Sequence, residues 1–270
     1  MNNVIIFTKT NDSKAKSIGN DIKAFFEKQG IKASFKAGKA DLAIVIGGDG
    51  TLLGAVRALC EAIPEEKPLP PVLGIHTGSL GFLTESNVNG WKAAIKRGLA
   101  KGFIIEERSM LSVTAGENKG KYTVLNDVVV NRNSVARIID FDVYYNGEFV
   151  SNTKADGVII STPTGSTAYS LAAGGPILHP SIPAFVVTPV SPHTLTNRPI
   201  VVADNGVIEV KVKTITDDII VTLDGQTGVR CSKNRRVVVK KSKRNLRLVR
   251  PNDITYFNIL RNKLSFGKRG

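Results

Sequence analysis

Residues 42–51 read Leu-Ala-Ile-Val-Ile-Gly-Gly-Asp-Gly-Thr, and no other stretch of the chain restricts its fold as strongly. An unbroken apolar run bounded by turn residues predicts a strand buried on both faces, as in a parallel sheet. Leu52, Ala55, Val56 and Leu59 follow at helical spacing. A buried strand feeding a helix through a glycine turn places that turn at the carboxyl end of a sheet, where open α/β sheets bind ligands. Gly47, Gly48 and Gly50 would expose backbone N–H groups to a ligand, with the Asp49 carboxylate among them and the Thr51 hydroxyl next in the chain. A carboxylate repels phosphate, so Asp49 fits better opposite a hydroxyl that must lose its proton.

The flanking sequence extends this layer. Val4–Phe7, Ile31–Phe35, Leu42–Ile46 and Val72–Ile75 are strand-like. Ile18, Ile22, Phe25 and Phe26 mark one face of a helix that ends near Gly30, and Trp91–Leu99 suits a further short helix. Alternating strands and helices predict a parallel sheet with helices on its faces, a Rossmann-like α/β domain over residues 1–101. Beyond residue 102 short β-rich runs take over: Tyr122–Val130, Ile138–Tyr145, Phe149–Ser151, Val158–Ile160, Val186–Val190, Ile200–Val202, Val207–Val212, Ile219–Leu223, Val237–Val239 and Leu246–Val249. Asn146-Gly147 suits a two-residue hairpin turn. Residues 102–250 are therefore expected to form a β-rich domain of layered sheets or a sandwich, with 251–270 packing back on the first domain.

Composition limits the function classes. At 270 residues and 42% hydrophobic, the chain can bury two modest cores. It has no apolar run of the roughly 18 residues that a membrane helix needs, and MNNVIIFTKT lacks the parts of a signal peptide. A cytoplasmic protein without a membrane partner is expected. Cys60 and Cys231 are far apart, and His76, His179 and His193 have no metal-ligand spacing, so no dedicated protein metal site is expected. The net charge is +14, and ten Lys or Arg with no acid lie between Arg230 and Arg250. That block reads first as a solvated strand face, and next as a field that attracts polyanionic substrates. With 6% aromatic residues and no RNP-like or helix-turn-helix pattern, a nucleic-acid partner is not expected.

Four other constellations could carry chemistry. His76-Thr77-Gly78-Ser79-Leu80-Gly81-Phe82 is a second glycine-rich loop at a strand end, adjacent to the first in a parallel sheet, and Phe82 is either core or a ring stacked on a base or nicotinamide. Asn126-Asp127 puts an amide and a carboxylate into an apolar strand, which is costly unless both are satisfied. This is a bulge or strand start, or else a site for ribose or adenine. From Lys154 and Asp156 the chain runs through Ser161-Thr-Pro-Thr164-Gly-Ser-Thr167-Ala168-Tyr169-Ser170-Leu171-Ala172 to Gly175, with a helix start expected near Ser166. So many hydroxyls beside free helix amides suit a polar ligand. Asp224-Gly225-Gln226 by itself is only a hairpin turn. GxxxxGK[ST], GxGxxG with a downstream acid, HRD and DFG are all absent, which argues against a P-loop, an ordinary hydride-transfer site and a protein kinase.

Together these pieces resemble the NAD kinase family over roughly residues 42–260. Gly47–Thr51 matches its GGDGT motif, Asn126-Asp127 its NE or ND motif, and Asp156-Gly157 with Ser161–Gly175 its DG and STPTGSTAYSLAAGG segment. Pro192-His193-Thr194-Leu195, Arg198-Pro199 and Asp224-Gly225-Gln226 are further landmarks. GGDGT alone is shared with lipid kinases and phosphofructokinase-type enzymes, whereas the Ser/Thr/Gly segment singles out NAD kinases. The resemblance implies transfer of the ATP γ-phosphoryl group to the 2′-hydroxyl of the adenosine ribose of NAD, giving NADP, with Asp49 facing that hydroxyl and accepting its proton. It implies Mg2+ or another divalent cation arriving with ATP. It further implies Asn126 and Asp127 on the adenosine part of NAD and Asp156 at the nicotinamide end. Thr167, Ala168, Tyr169, Ser170, Leu171 and Ala172 would line the pocket, Arg137 and Lys154 would meet phosphates, and Gln226 would be a further contact, in a homo-oligomer (dimer or tetramer). The alternatives are a lipid or other small-molecule kinase with the same GGDGT turn, and a non-catalytic dinucleotide sensor. An acyl-chain cleft suits the polar 161–170 loop poorly, and a sensor has no use for Asp49.

Overall fold

The computed structural model describes all residues except 85, 117–119, 134–137, 195, 216–217, 232–234, 251–253, 266 and 268–270. In chain order the elements are β1 (Asn3–Thr8), α1 (Ser13–Glu27), β2 (Lys32–Ser34), β3 (Leu42–Ile46), α2 (Asp49–Ala62), β4 (Val72–His76), β5 (Ser86–Asn87), α3 (Trp91–Lys101) and β6 (Ile104–Arg108). Next come β7 (Leu111–Ala115), β8 (Gly120–Val124), β9 (Asp127–Arg132), β10 (Ile139–Tyr145), β11 (Glu148–Ala155), β12 (Gly157–Ser161), a 3₁₀ turn (Gly165–Thr167) and α4 (Tyr169–Ala172). Then follow β13 (Ala184–Val190), β14 (Ile200–Ala203), β15 (Val207–Val212), β16 (Ile219–Leu223), β17 (Thr227–Arg230), β18 (Arg236–Lys241), β19 (Leu246–Arg250) and α5 (Tyr256–Leu264).

Two compact units result, one of residues 1–107 with 245–270, the other of residues 108–244. The first is built on a sheet of order β2-β1-β3-β4-β19-β6, with β5 added against β4. The pairings of β1, β2, β3, β4, β5 and β19 are parallel. All five residues of β3 are buried, as an inner strand covered on both faces requires. Phe26 from α1, Trp91 and Ile95 from α3 and Ile44 and Ile46 from β3 share one core, in which Phe25 and Trp91 meet edge to face at 5.6 Å. Asp12 caps α1 by accepting from the Ala15 N–H, and Thr255 with Asn258 forms a capping box on α5.

The second unit is an antiparallel sandwich. Its sheets run β11-β10-β15-β18-β7-β8 and β14-β13-β12-β9-β16-β17. Alternate residues from both, among them Val113, Phe141, Val210 and Val239 from one sheet and Val128, Ile160, Phe185 and Val221 from the other, form a single core. Asn146 and Gly147 both take positive φ in the β10–β11 turn, as a right-twisted two-residue hairpin demands.

The sequence division at 101 and 250 differs from this partition. Ile104–Arg108 and Leu246–Arg250 belong to the parallel sheet, where β19 lies between β4 and β6. Short runs that mix apolar and charged residues look alike whichever sheet they join, so sequence pattern assigns both strands to the β-rich part. Tyr122–Val130, expected as one strand, is two. The chain bends at Leu125–Asn126 and passes from one sheet of the sandwich to the other. No described helix is long and apolar enough to cross a membrane.

Candidate active site

The first unit carries the GGDGT turn. β3 ends at Ile46, Gly48 caps α2, and Asp49 is the first residue of the helix. The next strand, β4, lies parallel to β3 and sends its own loop past the same end of the sheet. The two loops are joined through Asp49. Its Oδ2 accepts from the Phe82 N–H at 2.8 Å. Its Oδ1 accepts from the N–H groups of Leu83 and Thr84 at 3.1 and 3.2 Å, and from the Thr84 hydroxyl at 3.1 Å. Two glycines make room for this. A Cβ on Gly81 would overlap the Asp49 carboxylate, and one on Gly74 would press on the Leu83 carbonyl and Thr84. Phe82 is half-buried and Gly48 and Gly50 are exposed, so the turn keeps an open backbone face.

The second unit carries the polar strand start. Leu125 and Asn126 form the bend before β9, and their backbone is held from two sides. The Thr162 N–H donates to the Asn126 carbonyl at 2.9 Å, and the Thr162 hydroxyl donates to the Leu125 carbonyl at 2.6 Å. On the other side the Asp224 carboxylate accepts from the N–H groups of Leu125, Asn126 and Asp127 at 3.0, 2.6 and 3.3 Å. Gly165 passes so close to Asn126 that any Cβ there would collide with its backbone.

Asp127 is only 4% exposed. It pairs in register with Ser161 on β12, so both side chains leave the same face of the sheet, opposite the sandwich core that holds Val128 and Ile160. The Tyr169 N–H at the start of α4 donates to the Asp127 carboxylate. Burial first, and the negative charge of Asp224 second, push Asp127 up to about 7 in spite of that N–H. Beside it, Ser161 Oγ and Asn126 Oδ1 are buried with no hydrogen-bond partner among the described residues. Native interiors rarely leave such atoms unsatisfied, and here both are able to take a hydrogen bond from a bound polar group or water.

The 161–175 segment behaves differently from its sequence pattern. Its helix near Ser166 is a 3₁₀ turn followed by only four α-helical residues. Most of its hydroxyls hold the segment itself. Ser166 donates to the Pro163 carbonyl at 2.6 Å and accepts from the Leu178 N–H at 2.9 Å; Thr167 donates to the Thr164 carbonyl at 3.2 Å. Ser170 bonds Thr188 at 2.9 Å, and Thr164 accepts from Arg108 at 3.4 Å. What Thr164, Thr167 and Ser170 can offer a ligand is therefore shape and backbone more than hydroxyls. Tyr169 is 46% exposed and Ala172 is exposed, with Ala168 and Leu171 half-buried.

Both parts of the chain match models of one family. The ATP-NAD kinase N-terminal domain matches residues 4–103, and the ATP-NAD kinase C-terminal domain matches residues 125–251. The NAD kinase of Geotalea daltonii is 38% identical over 291 residues, covering 100% of both chains. The chain belongs to the NAD kinase family. It phosphorylates NAD to NADP. The NAD kinase of Geobacter sulfurreducens is likewise 38% identical over 290 residues, with 100% of both chains covered. An NAD kinase from Archaeoglobus fulgidus, solved in complex with ATP, superposes with a TM-score of 0.80 at 25% identity, covering 98% of this chain and 99% of that one. Yeast NADH kinase, solved with NADH, has the same fold, with a TM-score of 0.89 at 22% identity over 100% of this chain and 89% of that one.

In this NAD kinase Asn126, Asp127, Thr164–Ala172 and the β16–β17 turn with exposed Gln226 gather at one end of the second sheet of the sandwich. Lys154 and Asp156 do not join them. Both are exposed, and Asp156 precedes the opposite end of β12, five residues from Ser161 and so roughly 16 Å away along a strand. Arg137 and Leu195 lie outside the described residues. In the sequence Ser161 is one hydroxyl of a segment suited to a polar ligand, and Asp224 is part of a hairpin turn and a family landmark. What the sequence does not show is their partners, which are remote in the chain: Asp127 opposite Ser161, and the Leu125–Asp127 backbone on Asp224.

Proposed function

We propose that this NAD kinase moves the γ-phosphoryl group of ATP to the 2′-hydroxyl of the adenosine ribose of NAD, with Asp49 accepting the hydroxyl proton. The observation that carries this is a carboxylate fixed by four hydrogen bonds at the ligand-binding end of a parallel sheet. A carboxylate so restrained cannot swing, and phosphoryl transfer gains mainly from positioning. Among the described residues Oδ2 accepts only from the Phe82 N–H, which leaves that oxygen a lone pair for the ribose hydroxyl.

In the second unit, Asn126 and Asp127 take the adenosine part of NAD, Asp127 through ribose hydroxyls. The unpartnered Asn126 Oδ1 and Ser161 Oγ favour this, because a ribose or a purine supplies both donors and acceptors. Exposed Tyr169 and half-buried Phe82 offer rings for stacking. Lys154 and Asp156 are proposed for the phosphates and the nicotinamide end.

A divalent cation, Mg2+ in the simplest case, accompanies ATP and neutralises charge on its phosphates. Such a cation binds through phosphate oxygens, one or two carboxylates and water rather than through a dedicated protein cage. The working form is proposed to be a homo-oligomer, a dimer or tetramer. Exposed Phe149 and Val150 on the edge strand β11 and Val201 on the edge strand β14 are the apolar edges that such an assembly would cover. The cytoplasm is the proposed compartment, since it holds both substrates.

Purified protein with NAD, ATP and Mg2+ should form NADP, read by an NADP-specific dehydrogenase. NADP formation that persists in Asp49→Asn would remove Asp49 from the mechanism, and absence of NADP with NAD still bound would favour a sensor.

A further inference from the structure

We propose that Asp224 is a positioning residue for dinucleotide binding: its carboxylate fixes the Leu125–Asp127 backbone in the one arrangement that aims Asn126 and Asp127 at the ligand. This rests on the assignment of Asn126 and Asp127 to NAD. As a turn residue Asp224 is easily explained. It has φ +50, Gly225 follows with φ +64, and the Gln226 N–H closes the turn on the Leu223 carbonyl at 3.0 Å. The left-handed conformation suits Asn or Gly equally well, however, and neither would bring a negative charge beside Asp127.

The direction of the carboxylate is what the turn does not explain. It points away from the hairpin to three successive N–H groups that precede it by 97 to 99 residues. Consecutive backbone N–H groups converging on one point form an anion-binding nest, and here the chain supplies the anion itself. The Asp224 N–H also donates to the Asp127 carbonyl at 2.9 Å, so the hairpin grips this segment through main chain and side chain together. With Thr162 bonded to the carbonyls of Leu125 and Asn126, the bend has no freedom to rotate its peptides. The directions in which the Asn126 and Asp127 side chains leave this backbone are thus held by Asp224.

The charge that holds these N–H groups also acts on Asp127. Asp127 faces Asp224 from the β16–β17 turn, Tyr169 from α4 and Ser161 from β12, and among these described neighbours only Asp224 carries a charge at neutral pH. It opposes ionisation of Asp127, so proton release from Asp127 is tied to the arrival of ligand hydroxyls that can donate to the carboxylate.

The test compares Asp224→Asn, Asp224→Ala and Asp127→Asn in the full chain, with kcat and the KM values for NAD and ATP measured from pH 5.5 to 9. For Asp224→Asn the expected result is at least a tenfold rise in KM for NAD, KM for ATP within twofold, and a pH dependence of KM for NAD displaced to lower pH. Asp224→Ala should raise KM for NAD further. Unchanged KM for NAD and an unmoved pH profile in folded Asp224→Asn would overturn the positioning role, provided that Asp127→Asn does raise KM for NAD. If Asp127→Asn leaves it unchanged as well, the NAD-site assignment falls, and the inference with it. Should neither Asp224 variant fold, hydrogen exchange on the unliganded wild type decides. The amides of Asn126 and Asp127 should be strongly protected, and exchange at the rate of exposed loops overturns the clamp.

Discussion

Asp49 and Thr84 are joined twice: the Thr84 N–H and the Thr84 hydroxyl both donate to Asp49 Oδ1, at 3.2 and 3.1 Å. A residue at the mouth of one βα turn is thereby locked to the loop that follows the neighbouring strand. The same carboxylate serves the fold and is proposed to serve the reaction, and the first predictions separate these two roles.

Asp49→Asn should bind NAD yet lose about 10²–10⁴-fold in turnover, the usual range for removing a general base. It should also lose about 1–3 kcal/mol of stability, because an amide NH2 would face backbone donors that the carboxylate now satisfies. Thr84→Val removes only the hydroxyl bond and should cost about 1 kcal/mol with turnover reduced far less. Single-turnover NADP formation together with urea unfolding distinguishes them. Equal kinetic losses in the two variants would mean that Asp49 acts through the loop alone.

Gly81→Ala and Gly78→Ala should differ sharply. A methyl on Gly81 would overlap the Asp49 carboxylate, whereas one on Gly78 meets nothing within 4 Å. Gly81→Ala should lower turnover at least tenfold and destabilise by about 1–3 kcal/mol, as overpacking does. Gly78→Ala should be near neutral in both. Thermal unfolding and steady-state rates on the pair suffice.

Stability should fall as pH rises from about 4 to about 7. Asp127 stands near 7 in the folded protein and near 3.8 when unfolded, so between those values the native state holds the extra proton. The contribution is fully present below the unfolded value and is lost as pH climbs through the folded one. Asp142 has the opposite sign: burial raises it, but hydrogen bonds from Lys213 and Asn152 outweigh that and leave it lowered. Its contribution is present above its unfolded value and disappears in acid. Asp127→Asn should flatten the pH 4–7 decline, gaining on the order of a few kcal/mol at pH 8 relative to wild type. Urea midpoints at pH 5 and pH 8 for both proteins are the measurement, and an unchanged slope in Asp127→Asn would contradict the assignment.

Ser161→Ala should leave the unliganded protein as stable as wild type, or more stable, because it removes a buried hydroxyl that has no partner among the described residues. If that hydroxyl awaits NAD, the rise in melting temperature produced by saturating NAD should shrink and KM for NAD should increase several-fold. An unaltered NAD-induced shift would make Ser161 a bystander.

The sequence by itself determined what short-range chemistry can encode. The apolar run 42–46, the glycine turn and the spacing of Leu52, Ala55, Val56 and Leu59 specified a buried strand, a tight turn and a helix, and α2 begins on the acid of that turn. The shift from helical periodicity to short β runs announced the second unit, and Asn146-Gly147 its hairpin. Tertiary structure alone decided where strands of the same composition pair. β6 and β19 join the parallel sheet, and the expected strand Tyr122–Val130 is divided between two sheets, because pairing depends on distant edges rather than on a strand's own pattern. It also decided what the acids do. Asp49 meets donors 33 to 35 residues away and Asp224 meets donors 97 to 99 away. Residue type says that a carboxylate will accept hydrogen bonds, but only the folded chain says from which groups, and that is what separates a turn residue from one that organises a site.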